Sequence, residues 1–370
     1  MEVAQGTCIV VGNRLIFKPI TVNIPTMKPS VKNNVFLAIC ICLLGCSPST
    51  KEKSEPNQKR AYQGPIIDMH LHALEENELS PEPMAMCTPL STIVQHFDPQ
   101  NDFGDVFWGK AANPDCENPY WSPVTYEEYV ERLSNQVEKY NITAITSGSL
   151  PATKKLISHF PDKFIRGIQF RINRDSIPVD SLQSLIETEG LKVLGEISNQ
   201  YVGIAPNDPK MFPYYALAEE MDVPVLLHMG SGLPGTPLFL NPEYQVAHSN
   251  PLLLEEVLKK YPKMRISIAH YGEPFIDELI AMMYHYPQLY VDLGGIQWCY
   301  PREYLYQSHL KKMVDAGFGK RIMFGSDMII WPELIDESIA IINDADFLTY
   351  EQKADIFYNN AARFLRLPHD

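Results

Sequence analysis

Asp68-Met69-His70-Leu71-His72 sets two imidazoles two residues apart at the end of a short apolar run. On a strand, side chains i and i+2 leave the same face, so His70 and His72 point together and can share one metal ion. The pair alone is a weak signal, because a buried His pair with ordinary hydrogen bonds gives the same spelling. Other ligand types end other apolar runs: Glu196 the fourth, His228 the fifth and His270 the sixth. Asp327 follows the eighth run in Gly325-Ser326-Asp327. Four of the ten histidines thus fall at run ends, whereas random placement scatters them, as it does His159, His285 and His369. Nitrogen and oxygen donors of this kind suit a divalent cation, zinc first and manganese second. Such an ion lowers the pKa of bound water from about 16 toward 7, making hydroxide available at neutral pH. The predicted chemistry is hydrolysis, with Asp327 taking a proton from that water and passing it to the leaving group.

Ligands gathered from distant positions need a scaffold, and the chain supplies one. The apolar runs are 66–71, 142–146, 164–172, 191–197, 223–229, 264–269, 289–294 and 321–324. Several are apolar at consecutive positions, as in Val225-Leu226-Leu227, which suits parallel strands covered on both faces. Helix-period stretches fill the gaps, among them 252–261 and 275–286. Thr125 with Glu128, and Thr349 with Gln352, have the spacing of capping boxes. Ile356, Phe357, Ala361, Phe364 and Leu365 are expected to lay the last helix on the barrel exterior. Strands alternating with helices predict an α/β fold with a parallel sheet. A doubly wound open sheet would want a glycine-rich phosphate turn after its first strand, and this first strand ends in histidines. The expectation is a single (β/α)8 barrel over residues 63–370, with its site at the carboxyl ends of the strands. Residues 75–124 form a long insertion after the first strand, read as a lid or pocket wall.

The DxHxH start, His228, His270, the Gly-Ser-Asp turn and the late Asn360-Ala361-Ala362-Arg363 together resemble the amidohydrolase-related branch of the amidohydrolase superfamily. That branch includes aminocarboxymuconate semialdehyde decarboxylase and several lactonases, and the resemblance covers roughly residues 66–367. It implies one metal on His70, His72, His228 and Asp327, with His270 as a catalytic residue beside it. Glu196 departs from that pattern. With it, the set is similar to two-metal barrel hydrolases such as TatD-type nucleases and phosphotriesterase relatives. This favours two ions over one, with Glu196 bridging and His228 and His270 on the second; otherwise Glu196 orients a ligand His. The first function implied is hydrolysis of an amide, lactone or other ester bond. Non-oxidative decarboxylation of a small aromatic or unsaturated acid is the alternative, and an inactive lipid-anchored binding protein the third.

A small-molecule substrate is the expected partner, with a homo-oligomer left open. Trp298, Trp331 and Tyr201 fall in loops of the metal-bearing face and suit an apolar or ring-bearing substrate. Trp108, Trp121 and Tyr300 fall there too, though loop packing explains such aromatics as well. Arg171, near the end of the third run, either clamps a substrate carboxylate or pairs with an interior acid such as Glu196. His248 and Arg302 lie in the same loops. A net charge of −14 leaves no footprint for nucleic acid.

Lys28 and Lys32, the apolar run 35–44 and Gly45-Cys46 follow the order of a bacterial lipoprotein signal. The run is too short to span a bilayer. Residues 1–26 then read as an upstream start-codon artefact, 27–45 as the signal peptide, and 46–62 as lipidated Cys46 with a flexible tether. Export and a lipid anchor in the outer membrane are expected. Outside the cytoplasm a disulfide is permitted, and Cys87 with Cys116, both in the insertion, is the expected pair.

Overall fold

The computed structural model describes residues 60–367 and, as backbone, residues 8–11 and 14–17. Cys8–Val11 pairs antiparallel with Arg14–Phe17, within a unit of its own, Met1–Lys53. The signal peptide and Cys46 lie outside the described residues. No helix among the described residues is long and apolar enough to cross a membrane.

Residues from Ser54 onward form the second unit. Its eight parallel strands are β1 (Ile66–His72), β2 (Ile142–Ser147), β3 (Phe164–Phe170), β4 (Val193–Ile197), β5 (Val225–His228), β6 (Ile266–Ala269), β7 (Leu289–Asp292) and β8 (Ile322–Met323). They stand in sequence order with helices between them. The ring closes between β8 and β1 through two hydrogen bonds, Met69 N–H to Phe324 O at 2.9 Å and Asp327 N–H to His70 O at 2.7 Å. This is the α/β barrel expected from the alternation of apolar runs.

Every strand gives a side chain to one inner cluster: Met69, Ile145, Val193, Leu226, Ala269 and Met323, with Ile165 and Tyr290 packed against it. Ala361 and Phe364 of the last helix, Asn360–Leu365, belong to the same cluster. That helix therefore plugs the amino end of the barrel instead of lying on its exterior, and only Ile356 and Phe357 join the outer layer. The Asn-Ala-Ala-Arg stretch explains the plug. Asn360 Nδ2 donates to Ile322 O at 2.7 Å and Gly319 O at 2.9 Å, and Arg363 reaches Lys320 O at 2.6 Å. These bonds tie the helix to the start of β8.

The cap at Thr349 is a full box with Gln352. At Thr125 only one arm forms: its hydroxyl accepts the Glu128 N–H, while the Glu128 carboxylate takes the N–H of Val124. Arg60 and Tyr62, at the end of the expected tether, are docked. Tyr62 stacks on Phe357 at 5.4 Å, its N–H donates to Asn343 Oδ1 at 2.8 Å, and Arg60 lies over Tyr350.

The insertion is more ordered than the structureless loop its composition suggests. It holds the helix Phe103–Ala112, capped by Asp102, and a two-residue pairing of Ala85–Met86 with Tyr120–Trp121. A Cys87–Cys116 disulfide closes it.

Candidate active site

Five strand ends bring the predicted ligands together, and two of them do so by breaking their own alternation. In β1, Ile67 and Met69 face the inner core, so regular pleating would send Leu71 inward next. A register shift between Asp68 and Leu71 resets the order, and His70 and His72 face the mouth instead. In β4, Val193 faces inward, and a shift opposite Ile168 turns Glu196 to the mouth. His228 needs no such device, being two residues beyond inward-facing Leu226. His270 follows inward-facing Ala269 directly and reaches the mouth with φ of 58°; Asp327 takes φ of 47°. Such left-handed backbone is uncommon outside glycine and gathers at functional sites.

Glu196 is central. Its Oε1 lies 2.6 Å from His228 Nδ1, 3.2 Å from His270 Nε2 and 3.6 Å from His70 Nε2; its Oε2 lies 4.0 Å from His72 Nε2. Asp327 Oδ1 sits 3.0 Å from His72 Nε2 and 3.7 Å from His70 Nε2. Three overlapping groups result: His70, His72 and Glu196; His70, His270 and Asp327; Glu196, His228 and His270.

The tautomers show that these groups fit a cation. His270 Nδ1 is 2.8 Å from Gly294 O and donates to it, which turns Nε2 toward Glu196 Oε1 at 3.2 Å. His70 Nδ1 faces Asp292 Oδ1 at 3.4 Å, and its buried Nε2 has no hydrogen-bond partner although two carboxylates face it. Imidazole nitrogens converging on carboxylates need a proton or a cation between them. Two donors each about 2.1 Å from one ion stand roughly 3–4 Å apart, the spacing found among His70, His72, Glu196 and Asp327. The second group, with Glu196, His228 and His270, is drawn to hydrogen-bond distance, with His228 Nδ1 and His270 Nε2 2.8 Å apart.

The electrostatics agree. Burial raises the Glu196 pKa, but His228 and His70 together outweigh it and hold the carboxyl well below its usual range. Asp327 is likewise buried, yet His70, His72 and His270 keep it ionised. Burial opposes a charge on His70, but Asp327, Asp292 and Glu196 together drive its pKa well above the ordinary value. The His228 pKa is lowered, chiefly by burial, which favours its neutral form, with Nδ1 turned to Glu196 at 2.6 Å.

Two buried acids that the sequence reading did not select hold this arrangement. Asp68 Oδ1 accepts the N–H groups of His70 and Ser326, both at 2.9 Å, fastening β1 to the Gly-Ser-Asp turn. Asp292 sits behind His70 and also accepts Gly294 N–H at 2.9 Å. Its signal was available, as an acid inside the seventh apolar run. Gly294 and Gly295 are required by close approach: an added Cβ would stand 2.7 Å from His70 Nδ1 or 2.7 Å from Asp327 Oδ2 respectively.

A pocket of about 230 Å³ opens above the ligands, with Arg171, Tyr201, Trp298, Leu233 and Ile329 in its wall. Tyr201 packs on the His228 ring at 4.7 Å, and burial keeps its phenol protonated. The Trp298 indole donates to Ser326 O at 3.0 Å. Arg171 pairs with Asp175 through Nε at 3.0 Å, not with Glu196. Trp331 lies outside this pocket, in the wall of a neighbouring cavity, because its indole is drawn to Met84 O at 2.8 Å. Tyr300 bonds Ser231 at 2.8 Å, while Arg302 pairs with Asp344 at 2.8 Å and His248 does not line the pocket.

No curated protein matches the chain. Among solved structures it is similar to an uncharacterized TIM-barrel protein from Bordetella bronchiseptica, with 16% identity and a TM-score of 0.57 over 81% of this chain and 98% of that one. It is also similar to a probable 2-pyrone-4,6-dicarboxylic acid hydrolase from Acinetobacter baumannii, with 14% identity and a TM-score of 0.52 over 82% and 99%. A 5-carboxyvanillate decarboxylase from Novosphingobium aromaticivorans, complexed with manganese and a nitrobenzoic acid, follows with 16% identity and a TM-score of 0.50 over 84% and 99%. These likenesses establish the fold. The family profile described as Amidohydrolase matches residues 67–367, and the chain belongs to that family.

Proposed function

We propose that this protein is a metal-dependent hydrolase that cleaves an amide, lactone or other ester bond, with Glu196 held in common by two cation sites. The position of Glu196 carries the reading: it is shared by the group with His70 and His72 and the group with His228 and His270. A divalent ion of the zinc or manganese type, when bound, supplies Lewis-acid polarisation of a carbonyl oxygen and makes water more acidic. The residues do the rest. Asp327, ionised and 3.0 Å from His72, takes the proton of the attacking water at a carboxylate oxygen and returns it to the leaving group. The Gly294 carbonyl fixes the His270 ring with Nε2 toward the pocket centre. Trp298 and Tyr201 wall the pocket, and Arg171 is its cation from the Lys and Arg class.

Decarboxylation is the second reading, supported by Arg171 in the wall, which suits a carboxylate substrate, and by the activity named for one fold neighbour. Product analysis in ¹⁸O water separates the two. Hydrolysis places one labelled oxygen in the acid product, whereas release of carbon dioxide with an organic product that carries no solvent oxygen overturns the hydrolase reading. Metal analysis tests Glu196: two equivalents per chain are expected, falling to one or fewer in Glu196→Gln. Unchanged stoichiometry in that variant would remove Glu196 from the ligands. Export with lipidation at Cys46 completes the proposal and rests on the order of basic, apolar and small residues before it. Labelled palmitate should enter the wild-type protein in a bacterial host and be absent from Cys46→Ala.

A further inference from the structure

A second cavity, of about 190 Å³, lies beside the metal pocket, and most of its wall comes from the insertion. Met86, Leu90, Phe107, Trp108 and Ala111 form that side, and Trp331 from the loop after β8 faces them. The Trp331 indole N–H is taken by Met84 O, so the ring brings no unpaired polar atom to the wall. Glu78 is the charged member, and its carboxylate is already engaged by the Glu75 N–H at 2.7 Å.

Leu233 and Ile329 stand in the walls of both this cavity and the metal pocket. Ile329 is two residues beyond Asp327 and holds φ of 48°, left-handed backbone that a β-branched residue adopts only under constraint. That conformation sets its side chain in the partition between the two spaces. Packed interiors leave few voids larger than a water, and a dry apolar cavity of about 150 Å³ takes a benzene ring. The wall offers three aromatic side chains, which suit a ring by edge and face contact.

We propose that this chamber is a substrate subsite for a single aromatic ring, joined by a short linker to the group that reacts over the metal ligands. The inference rests on the hydrolase reading only for where the reacting bond lies. The partition by Leu233 and Ile329 makes the linker short, since the two cavities share a wall.

Binding and turnover test it separately. The probes are propionate, phenylacetate, 3-phenylpropionate and 4-phenylbutyrate, titrated calorimetrically into the protein as purified. One phenyl probe is expected to bind at least tenfold tighter than propionate. Ala111→Phe, which fills the chamber, should remove at least tenfold of that advantage, and Trp108→Ala, at the half-exposed rim, should remove severalfold. Equal affinity for phenyl probes and propionate overturns the proposal, as does an advantage that both variants leave intact. Turnover is read on the matched phenylalkyl and ethyl esters. Absence of hydrolysis with the binding advantage intact sinks the hydrolase reading and leaves the chamber standing. Hydrolysis at equal kcat/KM on both esters sinks the chamber and leaves the hydrolase reading standing.

Discussion

The strand ends build the floor of the pocket and the insertion most of the wall of the cavity beside it, and the two are built by different physics. At the strand ends buried polar groups hold the candidate ligands: Asp68 grips two N–H groups, Asp292 faces His70, Gly294 O fixes His270, and Ser147 Oγ accepts the Glu196 N–H. Ligand atoms held so closely keep their spacing whether or not substrate is present, which is what metal chemistry requires. The insertion has polar ties of its own, such as Met84 N–H to Ser122 Oγ at 3.0 Å, but the cavity it walls is lined mainly by apolar side chains. Its helix packs through Phe107 and Ala111, its rim leaves Trp108 and Trp121 each 40% exposed, and a disulfide joins Cys87 to Cys116. Apolar contacts are non-directional, so this half can differ in shape without disturbing the ligands. The contrast teaches that a polar frame fixes the candidate ligands while mostly apolar packing shapes the neighbouring cavity.

The sharpest break of that contrast is Asp327→Asn. The loss of proton transfer should lower kcat by about 10²–10⁴-fold, while circular dichroism and the thermal midpoint stay close to wild type. An active Asp327→Asn enzyme would move the base elsewhere. Next is Asp292→Asn, which leaves every ligand in place and weakens the hold on His70. Metal affinity by competition with a chelator should fall roughly 10–100-fold, as it does for partners of ligating histidines; wild-type affinity would reduce Asp292 to a packing residue.

Metal affinity should also depend on pH in a definite direction. The His70 pKa lies well above its ordinary value because Asp327, Asp292 and Glu196 together outweigh its burial, so the metal-free protein keeps that proton at neutral pH. The proton must leave before Nε2 can ligate, so affinity rises with pH, by about tenfold per unit for each proton released. A pH-independent chelator titration between pH 6 and 8 would contradict this. The smallest effect on the site is expected from the double variant Cys87→Ser, Cys116→Ser. Amide exchange in Phe103–Ala112 should quicken by about tenfold or more as the loop constraint is lost, while metal affinity holds within about twofold. An equal loss at both places would erase the distinction between the two regions.

Much of the barrel was legible because a parallel strand covered on both faces must be apolar at consecutive positions, and eight such runs stand in order from Ile66 to Phe324. The insertion was less legible. Phe103–Ala112 contains Gly104 and Gly109, poor helix formers, although Phe103, Val106 and Phe107 stand at helical spacing. Its Asp102 cap was a further sign.

By itself the sequence determined which residues are candidate ligands and their place at strand ends, because residue type and distance from an apolar run are local properties. Only the tertiary structure decided which of them face one another. Period-two alternation from the inner core sends Leu71 and Ile197 inward, and it is the register shifts in β1 and β4 that turn His70, His72 and Glu196 to the mouth. A register shift is settled by pairing with the neighbouring strand, and no single segment carries it. The same holds for Trp331, whose indole left the metal pocket for a carbonyl in the insertion, and for the chamber that it helps to wall.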